Sequence, residues 1–289
     1  MSSPAEMVEE KIMPVEIAVD DILSKFKDIK PLDKGGQKIV FTTVHPSFGL
    51  CVLKIGAYGT KQTLDRITRE VSILRTINSE YFPRQYAFEI IDSQRYYILE
   101  EFLEGEPLNK RFADFTSERE IAVLGVHLTL GLQQLWKQNI VHRDVKPKNI
   151  IITKNGPRII DLGIARLLDA TSLTNTLAPF GPCTPDYASP EQLENRKNEI
   201  KPRCDQFNLG IIAGQLLLSG AHPFAPEVVG SGESIPHNIL ADNWAREFTS
   251  VAATPPMFAM IQKLLGHEPF QRYRKSDDLL ADMKALAKE

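Results

Sequence analysis

Val141-His142-Arg143-Asp144-Val145-Lys146-Pro147-Lys148-Asn149, with Asp161-Leu162-Gly163 beginning twelve positions after its last residue, is the stretch on which the reading of this chain turns. Between the two motifs lie two short apolar runs, Ile150 to Ile152 and Arg158 to Ile160, around a Lys154-Asn155-Gly156 turn. Apolar runs broken by such a turn predict a β-hairpin. Asn149 stands at one end of that hairpin and Asp161 at the other. One Asp or Asn in a loop is ordinarily a solvated turn residue. An amide and a carboxylate at hairpin spacing, with Asp144 and Lys146 just upstream, form a far more specific pattern.

Working outward, Ser117 and Glu120 form a capping box. It opens a helix with Ile121, Leu124, Leu128, Leu132 and Leu135 on one face, ending before Ile140-Val141. Thr63 to Ile77 places Leu64, Ile67, Val71 and Leu74 at steps of 3 or 4, which predicts a second helix. Gln37 to Leu53 and Tyr97 to Phe102, on either side of it, read as strands of an antiparallel sheet. Thr171 to Pro190 is rich in Thr, Pro and Ser and reads as a long loop. Asp205 to Leu218 is apolar nearly all round, as in a helix buried inside a lobe. Met257 to Leu286 reads as two or three amphipathic helices. The change from strands to helices falls near Gly105-Glu106-Pro107. The expected organisation is a tail or short helix over 1–22, a strand-rich lobe over 23–104 and a helical lobe over 105–289.

Composition narrows the function. The 289 residues suit one large domain or two lobes sharing an interface. Hydrophobic residues at 43% and charged residues at 25% permit a sizeable core. The net charge of −3 carries no basic surplus, so nucleic acid is not an expected partner. No apolar run approaches the ~18 residues of a membrane span; Leu209 to Leu218 is interrupted by Gly210, Gly214 and Gln215. The acidic N-terminus lacks a signal-peptide pattern. Cys51, Cys183 and Cys204 are odd in number and far apart, which fits neither a disulfide framework nor a paired-cysteine metal site. A reducing cytoplasm is the expected compartment.

The two motifs resemble those of the eukaryotic-type (Hanks-type) serine/threonine protein kinase family, over roughly Pro31 to Leu286. The resemblance implies an α+β, bilobal fold. A small antiparallel sheet with one main helix would form the N-lobe and a larger helical domain the C-lobe, with ATP between them. It implies transfer of the γ-phosphate of ATP to Ser or Thr hydroxyls of protein substrates, the chain itself among them. Phosphoryl transfer needs divalent cations to neutralise a triphosphate. Magnesium prefers hard oxygen ligands, and Asn149 and Asp161 would supply them; manganese is the alternative ion. Asp144 would orient the attacking hydroxyl and receive its proton, and Lys146 would steady the γ-phosphate. Lysine at that position is typical of the serine/threonine branch.

Further roles follow from the resemblance alone. Lys54, in Cys51-Val52-Leu53-Lys54, matches the lysine that holds the α- and β-phosphates, and Glu70 the helix glutamate that pins it. Glu70 has a second reading, in which Arg66 and Arg69 pair with acidic neighbours. Leu99 to Gly105 resembles the hinge, so backbone groups of Glu101 and Leu103 would meet the adenine edge. Leu32, Gly35, Val40, Val52 and Ile151 would line the nucleotide pocket. Glu100 falls at the rear of that pocket, where a glutamate must find a partner or water, or shift towards neutrality. Ser189-Pro190-Glu191 resembles the end of the activation segment, with Arg272 as the salt-bridge partner of Glu191. Asp205 matches the aspartate that braces the catalytic loop.

Several positions depart from the family pattern. Asp33 and Lys38 replace the first and third glycines of the glycine-rich loop, leaving Gly35. Val52 replaces an alanine over the adenine, and Leu162 a phenylalanine. For regulation, Arg143 resembles the arginine that receives an activation-loop phosphate, with Thr171, Ser172, Thr174 and Thr176 as candidate acceptors. Thr184 would position the substrate and Asp144. An activator or scaffold protein is an expected partner. Two other readings belong to different classes. A nucleotide-binding pseudokinase fits the altered glycine loop but not the intact Lys54, Asp144, Asn149 and Asp161. A small-molecule kinase of related fold lacks a use for Lys146 and for the peptide platform at Pro185 to Glu191.

Overall fold

The computed structural model of the protein describes residues 19–35, 38–77, 79–161, 183–245 and 254–288, and within them all side chains but those of 33–35, 38, 66, 70, 73 and 76. Its N-terminal part is an antiparallel sheet of β1 (Lys27–Gly35), β2 (Lys38–His45), β3 (Gly49–Ala57), β4 (Gln85–Ile90) and β5 (Arg95–Glu101), ordered β1-β2-β3-β5-β4. The predicted Gln37–Leu53 segment supplies β2 and β3. β1 and β4 carry no clear alternation, and the sequence alone did not show them. Successive side chains of a strand point to opposite faces. Cys51, Leu53 and Ile55 of β3 therefore share one face with Tyr97 and Leu99 of β5, and all are buried.

That outer face is covered by α1 (Asp20–Leu23), whose Ile22 is fully buried against it. Arg95 clamps the same turn to the sheet with two 2.8 Å bonds to the Asp21 carboxylate. The other face turns Val52, Lys54, Ile98 and Glu100 inward. There Ile98 packs into a second core that includes Ile67, Val71 and Leu74 of α2 (Lys61–Thr76). α2 is the helix expected from steps of 3 and 4.

The C-terminal part is mainly helical. α3 (Glu118–Trp136) opens with the expected capping box: Glu120 N–H donates to Ser117 Oγ at 3.3 Å, and Ser117 N–H to Glu120 Oε2 at 3.0 Å. A second, three-stranded sheet joins β6 (Gly105–Pro107), β7 (Ile150–Thr153) and β8 (Gly156–Ile159). The segment expected as the lobe boundary is thus a strand paired to the catalytic hairpin. Gly105 has to be a glycine there, because a Cβ would collide with the Ile152 carbonyl. After α4 (Pro190–Leu193) comes α5 (Pro202–Leu217), buried from Cys204 to Leu216, its apolar residues facing all round and its polar Asp205, Gln206, Asn208 and Gln215 buried with them. α6 (Pro226–Val229), α7 (Ile235–Leu240), α8 (Pro255–Leu264) and α9 (Ser276–Leu286) complete the described helices.

One buried ion pair ties this lobe together. Arg272 and Glu191, both wholly shielded from solvent, meet through two bonds of 2.6 and 2.9 Å. The remaining Arg272 N–H groups reach the carbonyls of Gly266, Arg203 and His267. The guanidinium also lies over the Phe207 ring, 4.8 Å from its centroid. All five donors are therefore in use. Truncating one partner of such a pair strands the other's charge, so Arg272→Ala is expected to cost about 3–5 kcal/mol. Arg272→Lys should recover only part of the loss, because an ammonium cannot copy the planar fork. Urea unfolding of the three proteins, followed by tryptophan fluorescence, measures both effects.

Candidate active site

The stretch from Val141 to Lys146 has no regular structure of its own, so something must hold its backbone. Asp205, near the start of α5, does so. Its carboxylate accepts the backbone N–H of His142 at 3.0 Å and of Arg143 at 2.8 Å, and the Trp136 indole N–H at 2.8 Å. Burial pushes the Asp205 carboxyl up, and these hydrogen bonds work against that rise. His142 lies under the loop, with Nε2–H towards the Ile160 carbonyl at 3.1 Å and Nδ1 accepting from Asp144 N–H at 3.3 Å. Arg143 adopts φ +67°, a left-handed conformation uncommon outside glycine, and Asp161 does the same at +56°. Such backbone persists only where its surroundings over-determine it.

Asp144 is buried at the end of this support. Its Oδ1 accepts the Thr184 hydroxyl at 2.7 Å. Its Oδ2 faces Lys146 Nζ at 3.0 Å and Asn149 Nδ2 at 3.2 Å. Lys146 Nζ also donates to Thr184 Oγ1 at 2.6 Å. Four residues singled out in the sequence, Asp144, Lys146, Asn149 and Thr184, thus form one connected group. Thr184 lies 40 residues from Asp144 and joins it by folding.

The hairpin brings Asn149 and Asp161 together as expected. Ile150 pairs with Ile159, and Ile160 N–H then bonds the Asn149 carbonyl at 2.9 Å. The Asn149 amide nitrogen is committed to Asp144, which leaves the amide oxygen to meet a cation. One carboxylate and one amide oxygen match the small protein share that magnesium takes. Among the described residues no three His, Cys, Asp or Glu side chains cluster as a metal cage.

Lys54 closes the site from above. Its ammonium lies 2.6 Å from Glu100 Oε2 and 2.8 Å from Asp161 Oδ1, with only 5% of the residue exposed. Burial by itself would lower the Lys54 pKa, but Asp161 and Glu100 outweigh it and hold the ammonium above its ordinary range. The partner that Glu100 required is therefore Lys54. The Glu70 side chain lies outside the described residues, as does its expected pairing.

The remaining expected residues fall as follows. Val40, Val52, Leu103 and Ile151 are half-buried, while Leu32 is 53% exposed. Gly35 ends β1. Glu101 gives its backbone N–H to the Arg84 carbonyl, and its carboxylate meets Arg158 at 3.2 Å. Thr171, Ser172, Thr174 and Thr176, along with Leu162 and Gly163, lie outside the described residues. Sequence reasoning missed Gln192, whose Nε2 donates to the Arg143 carbonyl at 2.9 Å. Its Oε1 accepts the Ser189 N–H, so the Ser-x-x-Gln capping spacing was the available signal.

With this geometry in view, a family model described as the protein kinase domain matches residues 27–282. The serine/threonine-protein kinase PknL of Mycobacterium bovis is 29% identical over 284 residues, covering 96% of this chain and 68% of the relative. PknL of Mycobacterium tuberculosis is 29% identical over 235 residues, covering 80% of this chain and 57% of the relative. The chain thus spans between 57 and 68% of the length of these two curated relatives. Among solved structures, a crystal structure of Rad53 in complex with AMP-PNP superposes with a TM-score of 0.71 at 21% identity, covering 92% of this chain and 66% of that one. At that identity the likeness speaks for the fold.

The platform beside Asp144 rests on a buried histidine. Tyr187 places its ring edge-on to His222, with centroids 5.3 Å apart, and donates its hydroxyl to Gln215. Burial lowers the pKa of His222 to about 4 and lowers that of His142 too. Below pH ~6.5 the unfolded chain takes up protons that the folded chain refuses, so stability is full above that pH and falls below it. For His222 the fall should run from about pH 6.5 to about 4 and reach roughly 3 kcal/mol. Urea midpoints taken across this window should drop with acid, and His222→Gln should flatten the slope. An unchanged slope in that variant would assign the fall to other groups.

Proposed function

The chain belongs to the protein kinase domain family and carries its serine/threonine-type catalytic domain, and from that premise we propose that it transfers the γ-phosphate of ATP to serine and threonine hydroxyls of protein substrates. The observation that carries the proposal is the Asp144 carboxylate, held by Thr184 and Lys146 beside Asn149, with Asp161 across the hairpin.

Asp144 binds and orients the incoming hydroxyl and accepts its proton at a carboxylate oxygen. The buried setting and the Thr184 bond fix that oxygen in one place. Lys146, within reach of both Asp144 and Thr184, holds negative charge on the transferring group. Lys54 holds the inner phosphates. Asn149 and Asp161 would hold magnesium, with manganese as the alternative, and the ion would supply the positive charge that a triphosphate needs. Asp161, which now meets Lys54 at 2.8 Å, would be the carboxylate shared between that ammonium and a bound cation. Leu32, Gly35, Val40, Val52 and Ile151 enclose the nucleotide, with the backbone of Glu101 and Leu103 at the adenine edge.

Regulation through Arg143 and a phosphate on Thr171, Ser172, Thr174 or Thr176 belongs to the same proposal, as does an activator or scaffold partner. So do the division at 1–22, 23–104 and 105–289 and a cytoplasmic location. The last is supported by two buried cysteines in no disulfide, Cys51 and Cys204. Among the described residues no helix is long and apolar enough to cross a membrane. A pseudokinase reading finds no support in a site where Lys54, Asp144, Asn149 and Asp161 are all in place.

The test is transfer from γ-labelled ATP, with magnesium, to the chain itself and to a generic basic protein. Label is expected on serine or threonine. Asp144→Ala should lower transfer by at least about a hundredfold, in line with the loss of a proton acceptor, while ATP still raises the melting temperature. Asp161→Ala should abolish transfer and also weaken the magnesium-dependent part of that rise. Wild-type turnover in Asp144→Ala would overturn the mechanism.

A further inference from the structure

The bond between Lys54 and Glu100 is made within one sheet. On the antiparallel β3–β5 pair, Val52 lies opposite Glu100 and Lys54 opposite Ile98. Lys54 and Glu100 are therefore diagonal neighbours on the same face, within reach of long side chains. Both are nearly enclosed, at 5% and 7% exposure, and their charged atoms are 2.6 Å apart. Asp161, the other carboxylate on Lys54, comes from the far side of the cleft and is itself assigned to a metal ion. Tyr96, on the same face of β5, is also buried near this ammonium, and burial raises its pKa.

A buried ammonium needs a fixed counter-charge. Once Asp161 turns to a cation, a carboxylate that moves with neither the metal nor a helix has to remain. We infer that Glu100 is the positioning residue for Lys54: a strand-borne carboxylate, 2.6 Å away on the same sheet face, that holds the phosphate-facing lysine in place while Asp161 changes partner. The helix carboxylate on α2 is thereby not the sole determinant of the lysine's position. A neutral residue of the same size at 100 would fill the rear of the pocket equally well and would not do this.

The inference rests on Lys54 being the lysine that meets the phosphates, and the experiment separates the two claims. Acetic anhydride at pH 9 modifies neutral amines, and peptide mapping by mass spectrometry reads each lysine, with exposed Lys110 and Lys137 as internal references. In the ligand-free chain Glu100→Gln should raise Lys54 acetylation several-fold against those references, because the side chain loses its 2.6 Å anchor. It should raise the KM for ATP several-fold more than it changes kcat. Unchanged Lys54 acetylation would overturn Glu100 as the anchor. Raised acetylation with an unchanged KM would overturn Lys54 as the phosphate lysine, and the positioning role with it. A melting-temperature cycle keeps the inference testable if Glu100→Gln folds poorly. Lys54→Met should lower the melting temperature by stranding Glu100, and adding Glu100→Gln should restore part of it. Strictly additive shifts would refute the coupling.

Discussion

The carboxylate of Asp205 is the constraint on which the site depends. The stretch from Val141 to Lys146 lies between a helix and a hairpin, and its backbone forms neither ladder. Buried backbone N–H groups without partners are costly, and two of them, from His142 and Arg143, end on this one side chain. Because Asp205 sits near the start of the most buried helix, the loop is referenced to the centre of the lobe. The left-handed backbone at Arg143 is held from both directions, by Asp205 at its N–H and by Gln192 at its carbonyl. Asp144 follows directly, so its carboxylate inherits that precision.

Buried charge elsewhere in the molecule does two different jobs. Arg272 and Glu191 use every donor of the guanidinium and have no further partner to seek, which suits a fixed strut between the platform and the C-terminal helices. Lys54 is also buried, but its two carboxylates come from opposite sides of the cleft. That arrangement holds the ammonium in place from both sides. Replacing the strut by well-packed apolar residues would be tolerable on general grounds. The same replacement at Lys54 would leave two carboxylates facing each other without the cation between them.

Much of this was legible in the sequence because it is local. The hairpin is encoded by a turn between two short runs, so the placement of Asn149 and Asp161 at its two ends followed from spacing. The capping box at Ser117 and the buried helix around Leu209 were readable for the same reason. What joins distant segments was readable only through family resemblance, as with Asp205 and Arg272, or not at all. The strand Gln85–Ile90 is half-buried or exposed along its length and lacks alternation. The strand Lys27–Gly35 has bulges in its register that break any period of two. The cover that Ile22 provides for the outer sheet face depends on a helix of a single turn, too short to carry a periodic signal.

Glu100 shows what spacing alone leaves open. The sequence placed a carboxylate among apolar neighbours at the rear of a pocket and required it to find a partner, shift its pKa or stay wet. It could not choose, because the register of β3 against β5 decides which side chains share a face. A slip of one residue between those strands would turn Glu100 to the opposite face. In the observed register it faces Lys54 instead, and desolvation, which penalises each charge separately, favours keeping the two together. The buried glutamate and the geometry of the sheet therefore have one physical explanation. A carboxylate is tolerated at that buried position because the lysine two strand positions away needs it.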